Sequence, residues 1–175
     1  MIYRALLLLV LMALAVADMS SYAKRVGAKY LEDTKAKEGI LVMKSGMLIE
    51  VMNESSEDTA KSPEANSQCK VTYSGTLHDG TPFDAGTTSF APNQVIKGWT
   101  EAMQYMVEGD KWKLHIPYDL AYGERGAGPT IKPFSTLVFD IEIHEVKNGG
   151  KSKEDARAML GAGTASKSAG EADGL

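Results

Sequence analysis

The side chains with chemical potential in this sequence are few and mostly apolar. Phe83 is followed directly by Asp84. Tyr73, Val95, Ile96, Trp99, Tyr122, Ile131 and Phe139 fall on inward strand phases or loop edges around one short apolar run. Taken singly, each reads as ordinary core. Taken together, with one carboxylate among them, they fit an apolar cavity carrying a few polar groups. Spacing alone does not close that cavity.

Other chemistries lack their parts. His78, His115 and His144 stand apart, one on a turn and two on polar strand faces, and no Cys, His or carboxylate cluster has ligand spacing. No metal or cofactor is therefore expected. No phosphate-cradling glycine loop follows a strand, and there is no strand–turn–helix nucleophile elbow. Acyl transfer, phosphoryl transfer and redox chemistry are unsupported. Cys69 is alone, so no intramolecular disulfide forms; its phase in Cys69-x-Val71-x-Tyr73 reads as a buried, inert thiol. A net charge of −4 offers nothing to nucleic acid or to an anionic surface.

The elements that must position these residues follow from periodicity. In Val95-Ile96-Lys97-Gly98-Trp99 and the residues after it, Trp99, Met103 and Met106 are spaced i, i+4, i+7. They share one face of a short helix that Gly109 stops. Around it lie alternating stretches: Cys69 to Thr76, Lys111 to Ile116 with Trp112, Leu114 and Ile116 on one side, and Leu137 to Val146. Ile40 to Met43 and Met47 to Met52 read as short strands about a Lys44-Ser45-Gly46 turn. Asn53 to Gln68 reads as a polar surface loop, and its Asn53-Glu54-Ser55 as a plain turn rather than a glycosylation acceptor. Asp79-Gly80 marks a hairpin turn, and Tyr118 to Pro133 is a Gly/Pro-rich loop bearing Tyr122 and Ile131. The class is α+β: an antiparallel sheet burying one short helix.

The ends differ in character. Arg4, the apolar run Ala5 to Val16, and Ala15-Val16-Ala17 read as a secretory signal peptide over residues 1–17, since the run is shorter than the ~20 residues of a spanning helix. The mature protein is expected to be secreted, or held in the secretory pathway lumen, without a membrane span. Residues 18–39 hold a helix capped at Ser20 or Ser21, whose Ala23, Val26, Tyr30 and Leu31 stripe docks on the domain. Residues 148–175 read as a flexible tail.

At the cavity residues the chain resembles the FKBP-type peptidyl-prolyl cis-trans isomerases, specifically the secreted macrophage infectivity potentiator (Mip)-like members. The matching motifs are Val71-Thr72-Tyr73-Ser74-Gly75, Asp79-Gly80-Thr81-Pro82-Phe83-Asp84, Val95-Ile96-Lys97-Gly98-Trp99, Leu120-Ala121-Tyr122-Gly123 and Thr136-Leu137-Val138-Phe139. They come in the family's order and cover residues 40–147. The resemblance implies an FKBP-like antiparallel sheet curled around one short helix. It also implies a non-covalent isomerase acting on proline-containing polypeptides, assisting folding or acting on extracellular targets.

By that resemblance Asp84, Tyr122, Ile96, Trp99 and Phe139 form the catalytic set, and Tyr73, Phe83, Phe90, Val95 and Ile131 hold the substrate. Tacrolimus and rapamycin are the inhibitors the family implies. Residues 85–89 are shorter than is usual there and lack a basic partner for Asp84, which makes the Tyr73 hydroxyl its candidate donor. The leading helix is shorter than in dimeric bacterial members, so a monomer is expected. The second reading is a non-catalytic module that binds proline segments or acts as a chaperone.

Overall fold

A computed structural model describes the backbone of residues 2–165 and the side chains of residues 18–165. The chain runs α1 (Ile2–Lys35), β1 (Ile40–Val42), β2 (Leu48–Asn53), β3 (Lys61–Ser62), β4 (Cys69–Leu77), β5 (Pro82–Phe90), α2 (Lys97–Met103), β6 (Lys111–Ile116), β7 (Leu137–Val146), β8 (Lys151–Ser152) and α3 (Lys153–Gly163). Six strands form one antiparallel sheet in the order β1-β2-β6-β7-β4-β5. The α+β architecture, an antiparallel sheet around a short helix, is as expected.

Alternation decides which face is core. Leu137, Phe139, Ile141 and Ile143 of β7 are buried, as are Trp112, Leu114 and Ile116 of β6. These side chains point to the face that receives α2, whose Trp99, Ala102 and Met103 are buried against them. Gly98 makes that approach possible, because a Cβ there would lie 2.7 Å from Ile116 Cγ2. The helix is shorter than the spacing suggests. It ends at Met103, and Met106 is buried in the turn that follows, ahead of Gly109 at φ 88°.

The opposite sheet face is covered by α1. Its stripe runs through Val26, Gly27, Tyr30, Leu31 and Thr34, with Thr34 at 1% exposure, so the helix docks on its own domain. Ser20 and Ser21 do not cap it, because the helix begins at Ile2 and runs through them. The side chains of the apolar run and of Ala15-Val16-Ala17 lie outside the described residues. His115, on what reads as a polar strand face, is only 4% exposed because α1 lies over it.

Two stretches expected to be irregular are ordered. Lys61–Ser62 pairs with Lys151–Ser152, and α3 follows, capped where Ser152 Oγ accepts the Asp155 N–H at 3.1 Å. Arg157 fixes α3: Nη1 donates to the Tyr105 carbonyl at 2.8 Å, and Nη2 lies 3.0 Å from each oxygen of the fully buried Asp110. Asp110 also accepts the N–H groups of Ser55 and Val107. Beyond α3 the Ala165 N–H donates to Val42 O at 2.7 Å. The segment read as a tail therefore packs on the domain through residue 165; residues 166–175 lie outside the description. Asn53 ends β2 rather than forming a turn, and Ser55 is 8% exposed. Among the described residues no helix is long and apolar enough to cross a membrane.

Candidate active site

Between α2 and the sheet opens a cavity of about 320 Å³. Its floor is Trp99, 4% exposed, in the first turn of α2. Three rings meet that indole nearly at right angles. Tyr73 of β4 lies 5.2 Å away at 77°, Phe90 of β5 at 5.9 Å and 81°, and Phe139 of β7 at 5.1 Å and 83°. Phe83 meets Phe139 in turn at 5.4 Å and 85°. Edge-to-face contacts place positive ring edges on negative faces and favour one arrangement over a sliding stack.

The strand registers explain why these rings converge. Tyr73 and Gly75 share a face of β4; Gly75 pairs with Asp84 on one side and Phe139 on the other. The missing side chain leaves the space that the Phe83 and Phe139 rings fill, since a Cβ would come within 2.7 Å of both. A register shift after Gly75 pairs Thr76 with Pro82, which leaves Phe83 unpaired in the bulge and turned into the box.

The polar groups are sparse and placed. The Tyr73 hydroxyl donates to Asp84 Oδ2 at 2.9 Å, which supplies the donor sought for that carboxylate. Burial raises the Tyr73 pKa, and its hydrogen bond to Asp84 adds to this; burial and the Asp84 charge raise that of Tyr122. Both phenols therefore stay protonated at neutral pH and can donate. Tyr122 is 40% exposed and sits at the mouth. Its loop is tied down where the Phe134 N–H donates to Gly123 O at 2.9 Å and where Ala127 and Ile131 exchange backbone bonds. Ile96 precedes α2 in extended conformation, and its N–H has no backbone acceptor among the described residues.

Tyr73, Phe83, Asp84, Phe90, Val95, Ile96, Trp99, Tyr122 and Phe139 thus come together around one cavity. Ile131 does not join them. It is 8% exposed and packs inward with the main core, so it supports the loop from beneath instead of lining the wall. Gln94 is a wall residue that sequence reasoning missed. Its Oε1 accepts the Ala91 N–H at 3.1 Å, a local turn bond that no periodicity signals. Among the described residues, no group of three His, Cys, Asp or Glu side chains could hold a metal ion.

An antiparallel sheet wrapped on one short helix, with a Trp-floored aromatic box between them, defines the class: a single-domain pocket protein of the FKBP type. The comparisons agree. Residues 59–144 match the family described as FKBP-type peptidyl-prolyl cis-trans isomerase, and the chain belongs to that family of enzymes. It is 45% identical over 140 residues to the macrophage infectivity potentiator of Trypanosoma cruzi, covering 77% of this chain and 70% of that one. It is 40% identical to the outer membrane protein MIP of Legionella longbeachae, covering 78% of this chain and 61% of that relative. A peptidyl-prolyl cis-trans isomerase from Pseudomonas syringae pv. tomato, solved as a crystal structure, superposes with a TM-score of 0.68 at 37% identity, over 74% of this chain and 96% of that one. Membership of an enzyme family does not favour the binding-only reading.

Proposed function

We propose that this aromatic box is where the chain accelerates rotation about X-Pro bonds. The observation that carries the assignment is the set of three rings perpendicular to Trp99, with one carboxylate fixed beside them by Tyr73. Rotation about an amide is slow because resonance must be lost, at a barrier of about 18–20 kcal/mol. The twisted state has a more ketone-like carbonyl, a lone pair on nitrogen and less charge separation than the planar amide. A water-poor aromatic pocket suits that state better than bulk water does. Each 1.4 kcal/mol of such preference is worth about tenfold in rate.

In this reading Trp99, Phe139, Tyr73 and Val95 hold the proline ring, with Phe83 and Phe90 closing the sides. The Ile96 N–H and the Tyr122 hydroxyl anchor peptide carbonyls. Asp84, held by Tyr73, biases the twisted amide electrostatically. No proton or covalent bond is exchanged. Proline-containing polypeptides are the substrates, and tacrolimus and rapamycin occupy the same box. The protein acts as a monomer, an inference supported by α1 docking on its own sheet through Tyr30. Export follows from the apolar run and small-residue site at residues 5–17 and is supported by a relative named as an outer membrane protein.

The test is isomerisation of a short Leu-Pro peptide by the purified protein, with and without rapamycin. Rapamycin-sensitive acceleration is expected. Folded protein that binds rapamycin yet leaves the peptide rate unchanged would move this pocket to a binding role.

A further inference from the structure

The sheet has two edges, and the fold treats them differently. At one end β1 is three residues long, and the segment after α3 runs against it: the Ala165 N–H donates to Val42 O at 2.7 Å, and Met43 forms a bridge with Thr164. At the other end β5 is nine residues long and pairs with β4 alone. Its register runs without a shift from Cys69 opposite Phe90 to Gly75 opposite Asp84. Through this stretch alternate residues of β5 turn their N–H and C=O groups away from the sheet. Among the described residues, no backbone hydrogen bond outside the β4 ladder reaches residues 83–89.

Open edges of natural sheets are usually blocked by a charge, a proline or a bulge that keeps a further strand from pairing. Ala85-Gly86-Thr87-Thr88-Ser89 has none of these. All five residues are exposed, uncharged and short. The proline and the bulge of β5 lie at its start, at Pro82 and Phe83. The edge beyond them is free to accept a strand.

Its position says which strand. β5 walls the aromatic box at both ends of this stretch, with Phe83 and Asp84 before it and Phe90 after it. A polypeptide with its proline in the box therefore passes beside the open edge. Under the isomerase reading above, on which this inference rests, Asp84 stands by the amide that turns. The residue before the proline is then the one that lies against β5. Steric contact with the proline ring biases that residue to the extended region, the conformation that strand pairing needs. Proline itself has no N–H to pair, and it is the residue the box takes. Hydrogen bonds to a sheet edge come from the main chain and leave the flanking side chains free to vary. We propose that the open edge of β5, over residues 85–89, takes up the segment N-terminal to the substrate proline as an added strand.

The test compares a short Leu-Pro peptide with two longer ones, extended equally on the N-terminal or the C-terminal side. With the full chain, N-terminal extension should lower KM about tenfold through added main-chain hydrogen bonds. It should leave kcat unchanged, because those bonds hold ground and transition states alike. C-terminal extension should change neither. N-methylation of successive residues before the Leu-Pro pair should raise KM at every second position, since neighbouring residues of a strand send their N–H groups to opposite sides. With ¹⁵N-labelled protein, the amides of residues 85–89 should shift on adding the N-terminally extended peptide and not the short one. Those shifts read pairing without turnover. Failure of the short peptide to isomerise would therefore count against the isomerase reading, while the shifts alone decide this one. Four outcomes overturn the proposal: equal KM values for the two extended peptides, N-methyl effects without alternation, unmoved amides at 85–89, or shifts of those amides with protein concentration alone, which would assign the edge to a second copy of the chain.

Discussion

Replacing Gly75 by alanine tests whether the aromatic box is close-packed. The new Cβ would lie 2.7 Å from Phe139 Cε1 and 2.7 Å from Phe83 Cζ, where ordinary contact begins at 3.4 Å, so each ring must retreat by about 0.7 Å. Phe139 has little room, being 4% exposed with the Trp99 ring 5.1 Å behind it. Overpacking of this kind costs about 1–3 kcal/mol. At about 2–4 °C per kcal/mol for a chain of this size, the melting temperature should fall by roughly 2–12 °C. The rings that move are pocket walls, so kcat/KM for a Leu-Pro peptide should fall as well, about tenfold for each 1.4 kcal/mol of transition-state stabilisation lost. Gly86→Ala is the control. Its Cβ would meet only Tyr73, at 3.8 Å, an ordinary contact, and alanine within a strand gains about 0.5–1 kcal/mol over glycine. The assays are thermal melting and protease-coupled peptide isomerisation on all three proteins. A Gly75→Ala protein that melts with the parent and turns over peptide at the parent rate would refute the reasoning, because the rings would then have slack.

Asp84→Leu should fold normally, since Asp84 is exposed, yet lose about tenfold or more in kcat/KM; full activity in a folded variant would remove Asp84 from the mechanism. Arg157→Ala leaves the fully buried Asp110 with only two backbone donors, and should lower stability by about 3 kcal/mol in urea unfolding. An unchanged midpoint would mean that α3 contributes nothing. The folded pKa of His115 is lowered to about 4, first by burial and then by Lys113 and Lys37, so the unfolded chain binds the extra proton between that value and about 6.5. The contribution of His115 is therefore complete above pH 6.5 and declines as pH falls. Stability should drop by roughly 1.5–2 kcal/mol between pH 6.5 and 5, and an NMR-detected ring titration near 6.5 would contradict this.

Much of the site is legible because it is built from strand alternation and one helical repeat. Tyr73, Trp99 and Phe139 each carry a periodic signal of their own, and the rings meet as those phases require. Ile131 shows where phase gives out. In a glycine-rich loop there is no period, and whether a side chain faces the cavity or the core depends on the Ala127 bridge. Arg157 and Asp110 are 47 positions apart, and nothing local marks them as partners, so the docking of α3 on the domain is not visible in a stretch rich in Gly, Ala and Ser. His115 alternates as a surface residue should. Its burial comes from Tyr30, 85 positions earlier, and a period-2 pattern cannot register what covers the far face of a sheet.

The strand order also bears on when the box can exist. β7 lies between β6 and β4, although it is made after both. Until residues 137–146 leave the ribosome, the β4–β5 hairpin and the β1–β2–β6 portion have no shared strand to join them. Phe139, which completes the contacts to Trp99 and Phe83, arrives on that same strand. Closure of the sheet and assembly of the pocket are thus one late event in synthesis, resting on long-range pairings that form slowly. Nascent chains stopped before β7 would carry the floor and most of the walls yet lack Phe139, and the first appearance of peptide isomerisation would time the insertion of the central strand.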